Sequence, residues 1–308
     1  MKKKVLVTGG SGMLGKAIQS ILPDATYLSS KNADLTNPAA TDSIFNEYKP
    51  DFVLHLAGRV GGIRANMDNL GKFYYDNIQI NTNVLEASRK HNVSKVLSML
   101  STCVYPDNAK YPLREQSIHD GEPHDSNYGY AYAKRMIDVQ SRAYRQQYGC
   151  NFVTAIPNNM FGPYDNFDLQ DSHVIPALIR KVYEAKKFGK EVILWGDGSP
   201  LREFTYSYDM AKIILFVLQN YDEPQPINIG NTDEYSIKQI ADMVCSIYDY
   251  NGGIAWDTSA PPGQFRKPSS NEKLLQLGWK EDDFVGMKKS LEEVCLWFEK
   301  NYSIARGV

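Results

Sequence analysis

The sequence predicts an α/β fold: a doubly wound parallel sheet with a second, smaller α/β domain. Three observations carry that reading. Short apolar strands alternate with segments of helical period through the first half of the chain. A glycine-rich link joins the first strand to the first helix. Beyond about residue 160 the alternation gives way to loops rich in aromatic residues, glycine and proline.

The elements follow in order. "KKVLVTG" (3–9) is a short apolar strand, and "MLGKAIQSIL" (13–22) has helical spacing, with Leu14, Ile18 and Ile21 or Leu22 on one face. The strand "ATYLSS" precedes "ADLTNPAATDSIFNEY", in which Thr36 to Pro38 read as a helix start and Ile44 and Tyr48 as its buried face. "DFVLHLAG" is a strand, "NIQINTNVLEASRKHN" a helix and "KVLSMLS" a strand. "YAYAKRMIDVQSRAYRQQYG" is a long helix, and "NFVTAIP" is another strand. Strands alternating with helices mean βαβ units with right-handed crossovers. "FTYSYDMAKIILFVLQN" and "PINIG" (226–230) read as a helix and strand that return to the first domain. The division that results is a dinucleotide-binding domain over 1–162, with a returning segment at about 204–230. A substrate domain takes 163–203 and 231–308. No internal repeat or low-complexity segment interrupts this pattern.

Composition narrows the function classes. The chain has 308 residues, a hydrophobic content of 43% and a formal net charge of -2, which leaves no basic footprint for nucleic acid. No apolar run approaches the roughly 18 residues of a membrane span, and no signal-peptide core follows Met1. Cys103, Cys150, Cys245 and Cys295 lie far apart, which suits reduced thiols in a cytoplasmic enzyme better than a disulfide scaffold or a metal cluster. No metal is expected.

The link "TGGSGMLG" places Gly9, Gly12 and Gly15 in a GxxGxxG pattern between the first strand and the first helix. Such a turn lets backbone approach a pyrophosphate while the helix N-terminus supplies NH groups, which points to a Rossmann dinucleotide site. At the end of the second strand the chain carries Ser29, Ser30 and Lys31, not the carboxylate that binds a ribose 2′-hydroxyl. Two hydroxyls and a cation suit a 2′-phosphate and so NADPH, although a polar turn with a solvated lysine would look the same. Asp34, before Leu35, stands where a carboxylate would accept the adenine amino group or cap a helix.

Ser101 after the fourth strand, and Tyr130 with Lys134 one turn on along the next helix, complete a pattern that resembles the extended short-chain dehydrogenase/reductase family. Within that family "LAGRVGGI", "STCVYP", "YGYAYAK", "FGPYDNF", "SHVIPALIRK" and "WGDGSPLREF" resemble, in order, the GDP-4-keto-6-deoxymannose epimerase/reductases. The resemblance implies NADPH-dependent inversion of carbons 3 and 5 of a GDP-linked 4-keto-6-deoxy sugar, then hydride delivery to carbon 4, giving GDP-L-fucose. It also implies a homodimer packed through helices around 75–90 and 130–147. For the cofactor it implies contacts from Gly9, Ser11, Gly12, Met13, Leu14, Gly15, Ser30, Lys31, Asp34 and Leu35. Further contacts would come from Leu56, Ala57, Gly58, Lys134, Pro157, Asn159, Met160 and His173.

The chemistry suits those residues. Tyr130 would protonate the forming alkoxide. Its ordinary pKa of about 10 is high for that task, and Lys134, on the same helix face, would draw it down. Ser101 would bond the carbonyl oxygen. Each inversion needs a base on one face of the sugar and an acid on the other. Cys103, its thiol lowered by nearby cations, and His173 in "DSHVIP" are the pair the resemblance implies. Taken alone, Cys103 is equally well read as a packed small hydrophobe. His55 sits inside a strand, and His91, His119 and His124 lie in polar segments. Lys181, Trp195, Arg202 and Lys267 would face the nucleotide sugar, where a diphosphate calls for cations.

Some positions depart from the family pattern. Gly58-Arg59 stands for Ala with Lys or Met, Asn158 for Thr, and Lys181 for Arg. These changes bear on the sugar more than on the chemistry. Two other readings stay open: a carbon-4 reductase of a related GDP-linked deoxyhexose or heptose, and a dinucleotide-binding regulator without catalysis. An intact Ser101/Tyr130/Lys134 set argues against the last.

Overall fold

The computed structural model describes residues 3–259 and 265–308. The first half runs β1 (Val5–Thr8), α1 (Met13–Ile21), β2 (Thr26–Leu28), α2 (Pro38–Tyr48), β3 (Phe52–His55), α3 (Ile63–Asp68), α4 (Leu70–Lys90), β4 (Lys95–Met99), α5 (Tyr128–Tyr148) and β5 (Phe152–Pro157). The chain continues through β6 (Asn159–Phe161), α6 (Val174–Phe188), β7 (Ile193–Trp195), β8 (Leu201–Tyr206), α7 (Ser207–Asn220) and β9 (Ile227–Ile229). It ends with β10 (Glu234–Ser236), α8 (Ile237–Ile247), β11 (Ala255–Asp257), α9 (Glu272–Gln276) and α10 (Met287–Asn301).

The main sheet is parallel throughout, in the order β2-β1-β3-β4-β5-β9. Its strands read as continuous apolar runs because helices cover both faces. Side chains alternate between two cores. Val7, Leu54, Leu97 and Val153 point to one that includes Leu14 and Ile18 of α1 and Met210 and Ile214 of α7. Leu6, Val53, Val96 and Phe152 point to the other, with Ile44 and Phe45 of α2, Val84 and Leu85 of α4, and Ile137 of α5. Full burial of each such side chain stabilises the fold by roughly 1.5–3 kcal/mol. The helix faces resolve one open alternative and differ from expectation at one place. Ile21 is exposed and Leu22 takes the core position, and Phe45 is fully buried where Tyr48 is only partly so.

A second body has its own core of Phe167, Leu178, Val182, Leu291 and Phe298. It holds a three-stranded sheet in the order β10-β8-β6 and a two-stranded pair β11-β7. The division of the chain differs from the sequence reading. β6 and all of β8 pair with each other in the second body, so the returning segment begins with α7. Leu274, Leu277, Trp279 and Phe284 pack into the first body's core, so the stretch around α9 returns as well. The physical reason is that α9 covers apolar sheet surface beside β9 that α7 leaves open.

Among the described residues no helix is long and apolar enough to cross a membrane. No group of three or more His, Cys, Asp or Glu among them is placed to hold a metal ion.

Candidate active site

The strands of the main sheet end at one edge, and there the loops after β1 and β3 part. A cleft of about 2530 Å³ opens between this edge and the second body, as expected at the carboxyl ends of a doubly wound sheet. Gly9 has φ +72°, and a Cβ there would lie 2.9 Å from the Ala57 nitrogen. At Gly15 a Cβ would lie 2.6 Å from the Gly10 Cα. These two glycines serve the fold. Gly12 differs: a Cβ there would meet only the Gly9 carbonyl, at 3.4 Å. The protein leaves that face of Gly12 open to the cleft, at the start of α1, where a pyrophosphate would need the close approach.

Every residue that the sequence reading assigned to cofactor, chemistry or sugar lines this one cleft. Ser30, Lys31 and Asp34 stand exposed beyond β2, and Leu56, Ala57 and Gly58 follow β3. Asp34 lines the cleft and does not cap a helix. Its Oδ1 accepts from the Thr36 backbone N–H at 3.0 Å and the Thr36 hydroxyl at 2.7 Å, which holds its carboxyl below the usual carboxylate range. Asn37, not Asp34, caps α2, accepting from Ala39 and Ala40.

The end of β4 and the first turns of α5 bring the reactive groups together. Ser101 is extended and caps a short turn over 102–104, accepting from the Cys103 N–H at 3.4 Å. Its hydroxyl favours the ionised forms of both the Tyr130 phenol and the Cys103 thiol. Tyr130 and Lys134 lie on the buried face of α5, 9% and 3% exposed. Lys134 does not do what its spacing suggested. Its Nζ donates to the Met99 carbonyl at 2.9 Å and lies 5.9 Å from the Tyr130 ring centroid. Burial pushes Lys134 down to about 8, and burial, followed by the neighbouring Cys103, holds the Tyr130 phenol up. The hydroxyl is therefore steadied by Ser101, because the ammonium is directed to the strand end.

Cys103 also departs from expectation. Lys267 and Lys134 do favour its thiolate, as does Ser101, but burial outweighs all three and pushes the thiol up. At rest it is an acid. His173 precedes α6 and is open to water in the cleft, while the cleft walls disfavour its charged form and hold its pKa down. A neutral imidazole and a protonated thiol form a complementary acid/base pair.

At the second body's end of the cleft, Lys181 donates to the Ile193 carbonyl at 2.8 Å and Arg202 to the Leu201 carbonyl at 2.7 Å. Trp195 is 66% exposed, so its indole is available for stacking. The departures now have physical reasons. A Cβ on Gly58 would lie 2.9 Å from the Asn77 amide oxygen, and that amide ties the loop through Arg59 N–H and C=O. Arg59 is held on α4 by Asp76 at 3.1 Å and the Phe73 ring, and does not line the cleft. Asn158 accepts from Thr205 at 2.6 Å and donates to the Asn231 carbonyl at 2.7 Å, which engages its amide inside the protein.

The sequence reading missed the cleft residues Asp165 and Arg306, and gave His55 no role beyond its place in a strand. His55 proves fully buried: Thr8 Oγ1 lies 2.9 Å from its Nδ1 and Asn81 Oδ1 lies 3.0 Å from its Nε2. Burial, reinforced by the Lys134 charge, holds it neutral with a pKa near about 3. It ties the glycine loop to α4. Arg306 reaches the cleft from the C-terminal end, and Asp165 lies buried in "FGPYDNF". A carboxylate set among aromatic residues was the available signal for Asp165.

Burial raises the Asp165 carboxyl to about 7. Its folded-state pKa thus exceeds the ordinary value, and the stability it contributes is present at low pH and lost as pH rises through about 7. Asp165→Asn keeps a neutral side chain, so we expect its melting temperature to gain on the wild type by roughly 5 °C or more between pH 5 and pH 8. A gap that stays constant with pH would mean that the carboxyl is ionised in the fold, paired with Arg306.

The model of the NAD dependent epimerase/dehydratase family matches residues 5–230. The GDP-L-fucose synthase of Dictyostelium discoideum is 44% identical over 314 residues, covering 99% of this chain and 98% of that one. The chain belongs to the GDP-L-fucose synthases of this family. It is an enzyme of the oxidoreductase and epimerase class. Its fold matches the GDP-L-fucose synthetase of Naegleria fowleri bound to NADP, with TM-score 0.94, 38% identity, and 99% and 95% of the two chains covered. It is also similar to a GDP-6-OMe-4-keto-L-xylo-heptose reductase from C. jejuni, with TM-score 0.90, 30% identity, and 98% and 99% coverage.

Proposed function

We propose that the protein is an NADPH-dependent epimerase and reductase that converts GDP-4-keto-6-deoxy-D-mannose to GDP-L-fucose, acting at carbons 3 and 5 and then at carbon 4. The observation that carries this reading is the meeting of Ser101, Cys103, Tyr130, Lys134 and His173 in one cleft, between an open glycine turn and a cationic far wall. When bound, NADPH supplies the hydride for carbon 4. The glycine turn around Gly12 would take its pyrophosphate, and Ser30 and Lys31 would meet its 2′-phosphate.

The chain's own groups do the rest. Ser101 and Tyr130 bond the sugar's 4-keto oxygen, which acidifies the hydrogens on carbons 3 and 5 and stabilises the enolate formed when either leaves. Cys103 and His173 take and return those protons from opposite faces. For the thiol to act as base it must first lose its proton. Lys267 and Lys134, together with Ser101, lower the cost of that loss. Tyr130 then donates its proton to the carbon-4 oxygen as the alcohol forms. Arg202, Lys181 and Lys267 hold the diphosphate end, and Trp195 packs beside the base or sugar.

The likeness to the C. jejuni reductase supports a second reading, in which the ketone is reduced without inversion. Incubation of the purified protein with GDP-4-keto-6-deoxymannose and NADPH, followed by NMR of the product, decides. GDP-L-fucose is expected. An unepimerised GDP-6-deoxyhexose would establish the second reading, and no product at all would reject both.

A homodimer in the cytoplasm completes the proposal. On the outer surface of the α4 and α5 pair, Tyr74, Tyr75, Val139 and Tyr148 are exposed, an apolar surface that suits a second copy. The cysteines are free, which suits a reducing compartment.

A further inference from the structure

Glu203 is 3% exposed and lies on β8 beside Arg202, yet among the described residues no cation is paired with its carboxylate. The nearby Arg266 guanidinium is bound to Glu234. Three neutral donors converge on Glu203 instead. Its Oε1 accepts from the Ser269 N–H at 2.8 Å, and its Oε2 from the Ser269 hydroxyl at 2.6 Å and the Asn158 amide at 3.4 Å. A carboxylate accepts from all three at once, whereas an amide in its place would turn an NH₂ toward one of those donors. Buried unpaired carboxylates are uncommon, so this one needs a reason.

The reason lies in the segment it holds. Residues 265–271 run along the cleft wall and join the two bodies. The Phe265 carbonyl accepts from Leu201 N–H at 2.9 Å, and the Pro268 carbonyl from Leu113 N–H at 2.8 Å. Ser270 N–H donates to the Leu113 carbonyl at 3.0 Å, and the Ser270 carbonyl accepts from Asn228 at 3.1 Å. Lys267 sits in the middle of this strap, and its side chain lines the cleft, where its charge acts on the Cys103 thiol. Glu203 anchors the strap on the second body through Ser269, alongside the Arg266–Glu234 ion pair and the Arg202 bond to the Phe265 carbonyl. Asn158, tied in turn to Thr205 and Asn231, fixes Glu203 from below.

We propose that Glu203 is a positioning residue: by holding Ser269 it keeps the 265–271 strap seated, and so keeps the Lys267 ammonium beside the Cys103 thiol. This deepens the function proposed above by assigning the support of its thiol acid/base group. The groups that bear on Cys103 are Ser101, Tyr130, Lys134 and Arg135 from the first body and Lys267 from the strap. Of these, Lys267 is the one carried on the strap that Glu203 bonds.

The test uses the full chain without substrate, so it stands apart from the identity of the sugar. The rate of Cys103 alkylation by iodoacetamide is followed against pH by peptide mass spectrometry in wild type, Lys267→Gln, Glu203→Gln and Ser269→Ala. Lys267→Gln should slow alkylation near pH 7.5 by about tenfold, as expected for a thiol that loses one close cation. Glu203→Gln should move the pH profile in the same direction by at least about threefold at that pH, with Ser269→Ala between it and wild type. NADPH affinity, set at the other end of the cleft, should hold. Should Glu203→Gln fail to fold, Ser269→Ala carries the test alone. Wild-type alkylation profiles in both Glu203→Gln and Ser269→Ala would overturn the proposal. So would an unchanged profile in Lys267→Gln, or a loss of NADPH affinity parallel to the loss of thiol reactivity.

Discussion

Tyr130→Phe lowers turnover by roughly a hundred- to ten-thousandfold, the range for a lost general acid, while NADPH binding stays nearly intact. The phenol is the one group on α5 placed to protonate an oxygen held by Ser101, and it is 9% exposed. Removing the hydroxyl leaves the ring, and with it the packing of Phe73 against it at 6.5 Å. Apart from Lys134, the cofactor's expected contacts lie on other elements. Single-turnover decay of NADPH absorbance measures the hydride step directly. If that step keeps its wild-type rate while it limits turnover, the proton comes from elsewhere. Because burial and the neighbouring thiol hold the Tyr130 phenol up, the group is a firmly protonated donor.

Cys103→Ser abolishes carbon–hydrogen exchange at the positions next to the ketone. In D₂O the wild-type enzyme is expected to place deuterium at carbons 3 and 5 of the product, since those protons pass through Cys103 and His173, while the hydride reaches carbon 4 only. A serine hydroxyl keeps the shape but is a far weaker base than a thiolate near neutrality. The loss in exchange should therefore exceed a hundredfold, with reduction continuing through Ser101, Tyr130 and Lys134 to an unepimerised or half-epimerised sugar. NMR and mass spectrometry of the product read both outcomes. Wild-type product without deuterium at either carbon would make the enzyme a carbon-4 reductase and Cys103 a packed thiol. Deuterium uptake that survives in Cys103→Ser would move the base to His173 alone.

Much of this site is legible in the order of the residues. Gly9, Gly12 and Gly15 announce a strand–turn–helix with backbone exposed to a ligand, and Tyr130 and Lys134 four apart on an apolar-faced helix announce a shared buried surface. Local spacing carries both. What spacing cannot carry is direction at the ends of side chains. The Lys134 amine reached for a carbonyl 35 positions away, and the cations around Cys103 were outweighed by burial. Each outcome depends on how much water the tertiary fold leaves in the cleft.

The same contrast separates what sequence alone determined from what the folded chain decided. Sequence determined the parallel sheet, the helix that bears Tyr130 and Lys134, and the glycine turn, because period and φ preference act over a few residues. The tertiary structure decided that β6 and β8 belong to one small sheet, and that the chain near α9 returns to the first body. It also decided that Asn158, Glu203 and Ser269 form a single buried network under Lys267. The bonds of that network join residues 45 and 66 positions apart, where no local preference acts. They are set by which donors and acceptors remain unmet once the two cores have closed, and a buried polar group without a partner is too costly to leave.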